Sequence, residues 1–184
     1  VREGVPAGVD AGIRVHPEVS LSGDPGCEPW RQQWKLGVSV AKLARVVASD
    51  PASLRGLNGL HFHTNCDATD FASLLATARH IRDSIPQFLD SLDWINMGGG
   101  YLFNQSDDKS DFFHAVNIFR ENFGLRVFIE PGAALVRRAG TIEATVHDLF
   151  ESDGLLIAVL DTTVNHMAEV FEFQYEPDVL GHTD

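Results

Sequence analysis

Three short stretches carry residue types able to do chemistry together. Gly59-Leu60-His61-Phe62-His63-Thr64-Asn65-Cys66 sets two imidazoles two residues apart, a spacing that on a strand points both to one face. Trp94-Ile95-Asn96-Met97-Gly98-Gly99-Gly100 closes an apolar run with three glycines. Backbone without β-carbons can approach a ligand closely and offer its N–H groups to a phosphate. Ile129-Glu130-Pro131-Gly132 ends another apolar run on a carboxylate, which is costly to bury unless something cationic meets it. A protonated ring nitrogen would be such a cation, and Glu130 would raise its pKa. Arg14, inside the strand-like Gly12–Glu18, either neutralises an anion beside these groups or lies on an exposed edge.

Each stretch also has a plainer reading. His61 and His63 fit core histidines with local hydrogen bonds, the glycines a flexible turn, and Glu130 a solvated start to a Pro-Gly turn. The histidine pair also fits two zinc ligands, as in metal-dependent hydrolases, although His114, His147 and His166 supply no matching spacing.

The elements that must position these residues alternate. Gly12–Glu18, Leu57–Thr64, Asp93–Met97 and Leu125–Glu130 read as strands. Val38–Ala48, Asp70–Leu89 (disturbed at Pro86) and Asp111–Phe123 have helical spacing. Thr141–Leu149 and Leu155–Leu160 then read as two strands joined by a Gly-containing turn. Strand, loop and helix in repetition imply parallel strands with crossover helices. His63, Gly98–Gly100 and Glu130 all fall at carboxyl ends of strands, where the chemistry of (β/α)8 barrels collects. The expectation is an α/β chain forming a partial TIM-type barrel, with about five or six of the eight strands of a fold that takes about 250 residues.

Composition narrows the classes. The chain has 184 residues, 44% of them hydrophobic, enough for one domain with a core. Its formal charge of −12 argues against a nucleic-acid partner and suits a cationic ligand. No apolar run approaches the roughly 20 residues a membrane helix needs, so no membrane partner is expected. Cys27 and Cys66 make no disulfide framework, which points to a reducing cytoplasm. The opening Val-Arg-Glu-Gly reads as a cut or processed end.

In order and spacing, GLHFHTNC, WINMGGG, IEPG and LDTTVNHMAEVFEFQYEP resemble motifs of the fold-III pyridoxal-phosphate enzymes, the alanine racemase-like barrels. Among these they are most similar to the carboxynorspermidine decarboxylases, from about Gly12 to Gly181. The resemblance implies pyridoxal 5'-phosphate as cofactor and decarboxylation of a basic amino acid, a carboxynorspermidine- or carboxyspermidine-like substrate first, in polyamine or related amine biosynthesis. It implies that His63 stacks on the pyridine ring and that Cys66 lies near the phosphate. Gly98, Gly99 and Gly100 cradle that phosphate, Glu130 pairs with the ring nitrogen, Gly132 is a further cofactor-binding residue, and Arg14 supports the site. Asp161, His166 and Tyr101 fall near the substrate. A homodimer is the implied assembly.

The chain departs from the family pattern at Ala133, where the family has arginine or glutamate, at Tyr101-Leu102, where histidines are common, and at Ala168, where proline is usual. Lys35, Lys42 and Lys109 do not match the family's Schiff-base lysine, which belongs to a first strand upstream. The resemblance therefore implies a single partial barrel domain over 1–184, without that lysine strand or the C-terminal β-domain, and inactive by itself. Alternatives are a non-catalytic barrel that binds pyridoxal phosphate, and a zinc hydrolase using His61 and His63.

Overall fold

The structure, a computed structural model, describes residues 8–18, 35–173 and 176–181. Cys27 lies outside the described residues. By its contacts the chain divides into two compact units, one within residues 1–139 and one within 140–184.

In the first unit, β1 (Gly12–His16), β2 (Val38–Ser39), β3 (Gly59–Phe62), β4 (Trp94–Gly99) and β5 (Arg126–Glu130) make a wholly parallel sheet. The strand order is β2-β1-β3-β4-β5. Helices α1 (Val40–Ser49), α2 (Ala72–Ser84), α3 (Pro86–Leu89), α4 (Ser110–Phe123) and α5 (Gly132–Val136) fall between and after the strands. The α/β expectation holds, and local chemistry sets the boundaries. Val38 and Ser39, expected to open a helix, pair with β1 instead, and the Ser39 hydroxyl accepts the Lys42 N–H at 3.1 Å to cap α1. Pro86 lacks a donor and suits a first helical turn, so it ends α2 and starts α3. The Pro131-Gly132 pair, expected as a turn, leads into α5.

The sheet is two-faced. Leu60, Phe62, Ile95 and Met97 are fully buried among Leu74, Ala78, Ile81 and Phe119 from the helices. Their neighbours His61 and Asn96 alternate to the other side and are half-buried. Parallel strands sandwiched between apolar layers read as continuous apolar runs, so this alternation marks a polar inner face. Across it, Arg14 pairs in register with His61, and His61 with Asn96.

Side chains clamp the other end of the strands. Gly12, Gly59 and Trp94 are register partners, and the Trp94 indole lies over both glycines where a β-carbon would stand. The Asn58 carboxamide oxygen accepts the Ala11 N–H at 2.9 Å, while its Nδ2 donates to Asp10 at 2.7 Å and Asp93 at 3.2 Å. In barrels this amino-terminal rim is the one that serves stability.

In the second unit, β6 (Val146–Ser152) and β7 (Leu155–Leu160) form an antiparallel hairpin, followed by α6 (Ala168–Phe173). Asp153 and Gly154 both have positive φ, 52° and 78°, as a two-residue hairpin turn requires. The first of these strands begins at Val146 rather than the expected Thr141.

Candidate functional site

Two strand ends bring His61, His63 and Glu130 together. His61 lies on β3, His63 one residue past it, and Glu130 closes β5. His61 Nε2 is 3.6 Å from Glu130 Oε1, and His63 Nδ1 is 3.8 Å from Glu130 Oε2. Both distances exceed hydrogen-bond range, so the carboxylate faces two imidazoles with room to move. Its side chain is 48% exposed.

The convergence depends on an irregularity in β4. Asn96 pairs with Phe128, but the next partner of Glu130 is Gly99, so β4 spends three residues where β5 spends two. Such a bulge bends the strand and re-aims side chains. Gly98 absorbs it with φ +72°, a conformation that glycine adopts freely. The glycines are needed first by the protein itself. A β-carbon on Gly98 would press on the Phe62 carbonyl oxygen at 2.5 Å, one on Gly99 would strike the Glu130 carbonyl, and one on Gly100 the Asn65 carbonyl. The turn is further fixed by Ala68, whose N–H donates to the Gly100 carbonyl and whose carbonyl accepts the Leu102 N–H, each at 2.8 Å.

Asn96 joins these parts. Its Nδ2 donates to Glu130 Oε1 at 2.8 Å, and its Oδ1 accepts the Gly98 N–H at 2.9 Å. The Gly99 N–H points at His63 Nδ1 at a long 3.4 Å. Burial holds the His61 imidazole below the ordinary histidine pKa; Arg14 and His63 push the same way, and Glu130 opposes them. His61 is thus biased toward neutrality, and its buried Nε2 has no hydrogen-bond partner among the described residues.

The remaining expected residues fall in several places. Arg14 lies one strand away, level with His61. Cys66 is exposed at the loop that follows His63, and Gly132 opens α5 with free space where a β-carbon would stand. Tyr101 is 3% exposed, stacked on Phe71 and sharing a 3.2 Å hydrogen bond with Thr64. Burial pushes its phenol pKa up, and a substrate contact there would require the core to open. Asp161 and His166 belong to the second unit. Asp161 accepts the Thr145 N–H at 2.8 Å, which holds its carboxyl below the ordinary range, and His166 Nδ1 is 2.7 Å from the Thr162 hydroxyl.

Two features went unread in the sequence: Asn96 as the link between glycine turn and carboxylate, and His61 as part of the same cluster as Glu130. A polar residue alternating with buried apolar ones on a parallel strand was the available signal for both.

No family model matches the chain. Individual relatives do. The chain is 31% identical over 176 residues to carboxyaminopropylagmatine decarboxylase of Synechocystis, covering 94% of this chain and 44% of that protein. It is 28% identical over 172 residues to carboxynorspermidine/carboxyspermidine decarboxylase of Campylobacter jejuni, covering 92% and 43%. The chain is a homologue of these decarboxylases. Its structure superposes on the crystal structure of carboxynorspermidine decarboxylase complexed with norspermidine from Campylobacter jejuni with a TM-score of 0.68 at 24% identity, over 93% of this chain and 42% of that one. The fold of the decarboxylase homologue is therefore part of an alanine racemase-like barrel. It spans less than half the length of the curated relatives it matches. No described helix is long and apolar enough to cross a membrane.

The donor set suits a phosphorylated pyridine. A half-exposed carboxylate can accept from a ring N–H, a flat imidazole can lie against the ring, and a glycine turn stands between them.

Proposed function

We propose that the intact polypeptide uses pyridoxal 5'-phosphate to decarboxylate a basic amino acid, with carboxynorspermidine- or carboxyspermidine-like substrates first and amine biosynthesis as the setting. One observation carries the cofactor reading: His63 Nδ1 lies 3.8 Å from a Glu130 oxygen and 3.4 Å from the Gly99 nitrogen, so ring, turn and carboxylate meet in one place. The names of the relatives support the reaction and the substrate class.

The bound cofactor would supply an electron sink for the pair released as CO2 leaves. Glu130 would accept a hydrogen bond from the ring nitrogen and keep it protonated. Asn96 would hold that carboxylate in place, and His63 would exchange its long contact with Gly99 for the ring face, freeing the Gly99 N–H for the phosphate. Gly98, Gly100 and Cys66 would line the phosphate end, Gly132 would also contact the cofactor, and Arg14 would support the site from the neighbouring strand. The acidic composition would add a general attraction for a cationic substrate. Lys42 lies exposed on α1 and Lys109 donates to the Ser106 carbonyl at 2.7 Å, so neither is a candidate for the covalent lysine. That residue, a homodimer and a cytoplasmic location are parts of the proposal, as is one partial barrel domain of a longer protein, inactive when cut to these 184 residues.

The test is to express the complete reading frame, record its visible spectrum with added cofactor, and assay CO2 release from carboxynorspermidine, carboxyspermidine, diaminopimelate and ornithine. A yellow protein active on one of the first two is expected. A colourless protein would overturn the cofactor, and a coloured one inactive on all four would overturn the substrate class. Glu130→Gln should retain cofactor binding and lose most turnover, and full activity in that variant would remove Glu130 from the role.

A further inference from the structure

We infer that His61, His63 and Glu130 also form a site for a divalent transition-metal ion of the zinc type, and that this ion and the phosphorylated pyridine exclude one another. The exclusion rests on the function proposed above; the metal site does not.

One ligand atom from each of the three residues lies within 4.8 Å of the others. A tetrahedral zinc with ligands at about 2.0–2.1 Å sets them roughly 3.3–3.4 Å apart. Here His61 Nε2 is 3.6 Å from Glu130 Oε1 and His63 Nδ1 is 3.8 Å from Glu130 Oε2. Side-chain rotation closes gaps of that size without moving a strand. Two imidazoles with one carboxylate is a donor set zinc accepts, with a fourth position left for water.

A second, independent observation is the buried His61 Nε2, which lies 3.6 Å from Glu130 Oε1 and has no hydrogen-bond partner among the described residues. Buried polar atoms are normally satisfied, and a metal would satisfy this one. The Gly99 N–H on His63 Nδ1 is long, and a nitrogen bound to metal would give it up. The same Glu130 oxygens and the same His63 ring serve both ligands, so occupancy by one removes the other.

The experiment titrates Zn2+ by calorimetry into the intact polypeptide freed of cofactor, as the native sequence and as His61→Gln, Glu130→Gln and the surface control His114→Gln. Circular dichroism checks the fold of each. One ion per chain is expected, bound at least tenfold more weakly by the first two variants and unchanged in the control. Added pyridoxal phosphate should weaken zinc binding, and zinc should weaken cofactor binding reciprocally. Co2+ provides a readout that needs no variant: four-coordinate absorption bands without thiolate charge transfer are expected. No stoichiometric binding, binding that survives both site variants, or a thiolate band would overturn the metal site. Zinc binding without any cofactor binding would instead sink the proposed function and leave the metal site standing. Simultaneous binding of both ligands would sink the exclusion.

Discussion

Asn96 and Glu130, 34 residues apart in sequence, share a 2.8 Å hydrogen bond from the carboxamide to the carboxylate. Through its other end Asn96 also holds the Gly98 N–H, so one side chain couples the glycine turn to the acidic strand end. If that coupling positions Glu130, Asn96→Asp should harm the site more than Asn96→Ala, because a second carboxylate would face the first at hydrogen-bond distance. The expected outcome is a several-fold loss of pyridoxal-phosphate affinity for alanine and more than tenfold for aspartate, read by fluorescence titration. Equal affinities in both variants would show that Glu130 holds its place without Asn96.

His61 gives a signed pH dependence. Its pKa is held down in the folded protein, chiefly by burial. The folded state therefore binds fewer protons than the unfolded one between the depressed value and the ordinary value of about 6.5. Stability from this group is complete above about 6.5 and lost as pH falls through that window. Denaturation of the intact polypeptide at several pH values should show a steeper acid loss in the native sequence than in His61→Gln. Parallel curves would contradict the shift.

The Tyr101–Thr64 pair tests buried polar satisfaction. Tyr101→Phe leaves the Thr64 hydroxyl, 7% exposed at its residue, without that partner. Each single change, including Thr64→Val, should cost about 1–3 kcal/mol, and the double variant less than their sum. Urea denaturation of the four proteins completes the cycle; strict additivity would mean the hydroxyls do not interact.

Two glycines with different surroundings separate strain from collision. Gly124 ends α4 at φ +68° with open space around it, so Gly124→Ala should cost about 1 kcal/mol. Gly99→Ala meets the Glu130 backbone and should both destabilise more and weaken cofactor binding, since β5 must shift away from β4. Thermal melts with and without cofactor would reveal an error if Gly99→Ala proved the milder change.

The strands and helices of the first unit were legible because apolar spacing reports which side of an element is covered, and His61, His63 and Glu130 were legible as chemistry at strand ends. Their distances were not, because contact across strands depends on register, and a bulge at Gly98 shifts register by one residue. The Trp94 shelf shows the same limit: Gly12 and Gly59 read as ordinary glycines until the indole is laid across them. The Pro131-Gly132 pair fits a turn equally well in sequence, and the structure shows Pro131 as the N-cap of α5. Tyr101 was read beside the glycine loop in sequence, yet its ring turns inward onto Phe71.

Strand β5, which ends on Glu130, is the last strand of its sheet and is bonded on one side to β4. Among the described residues no strand pairs with its other edge, where backbone donors and acceptors stand with Phe128 and Ile129 exposed beside them. The carboxylate thus hangs from the border of the sheet rather than its interior. Any strand that docks along that border, from the same polypeptide or another, would stiffen the backbone under Glu130 and so tune the charge that the proposed chemistry depends on.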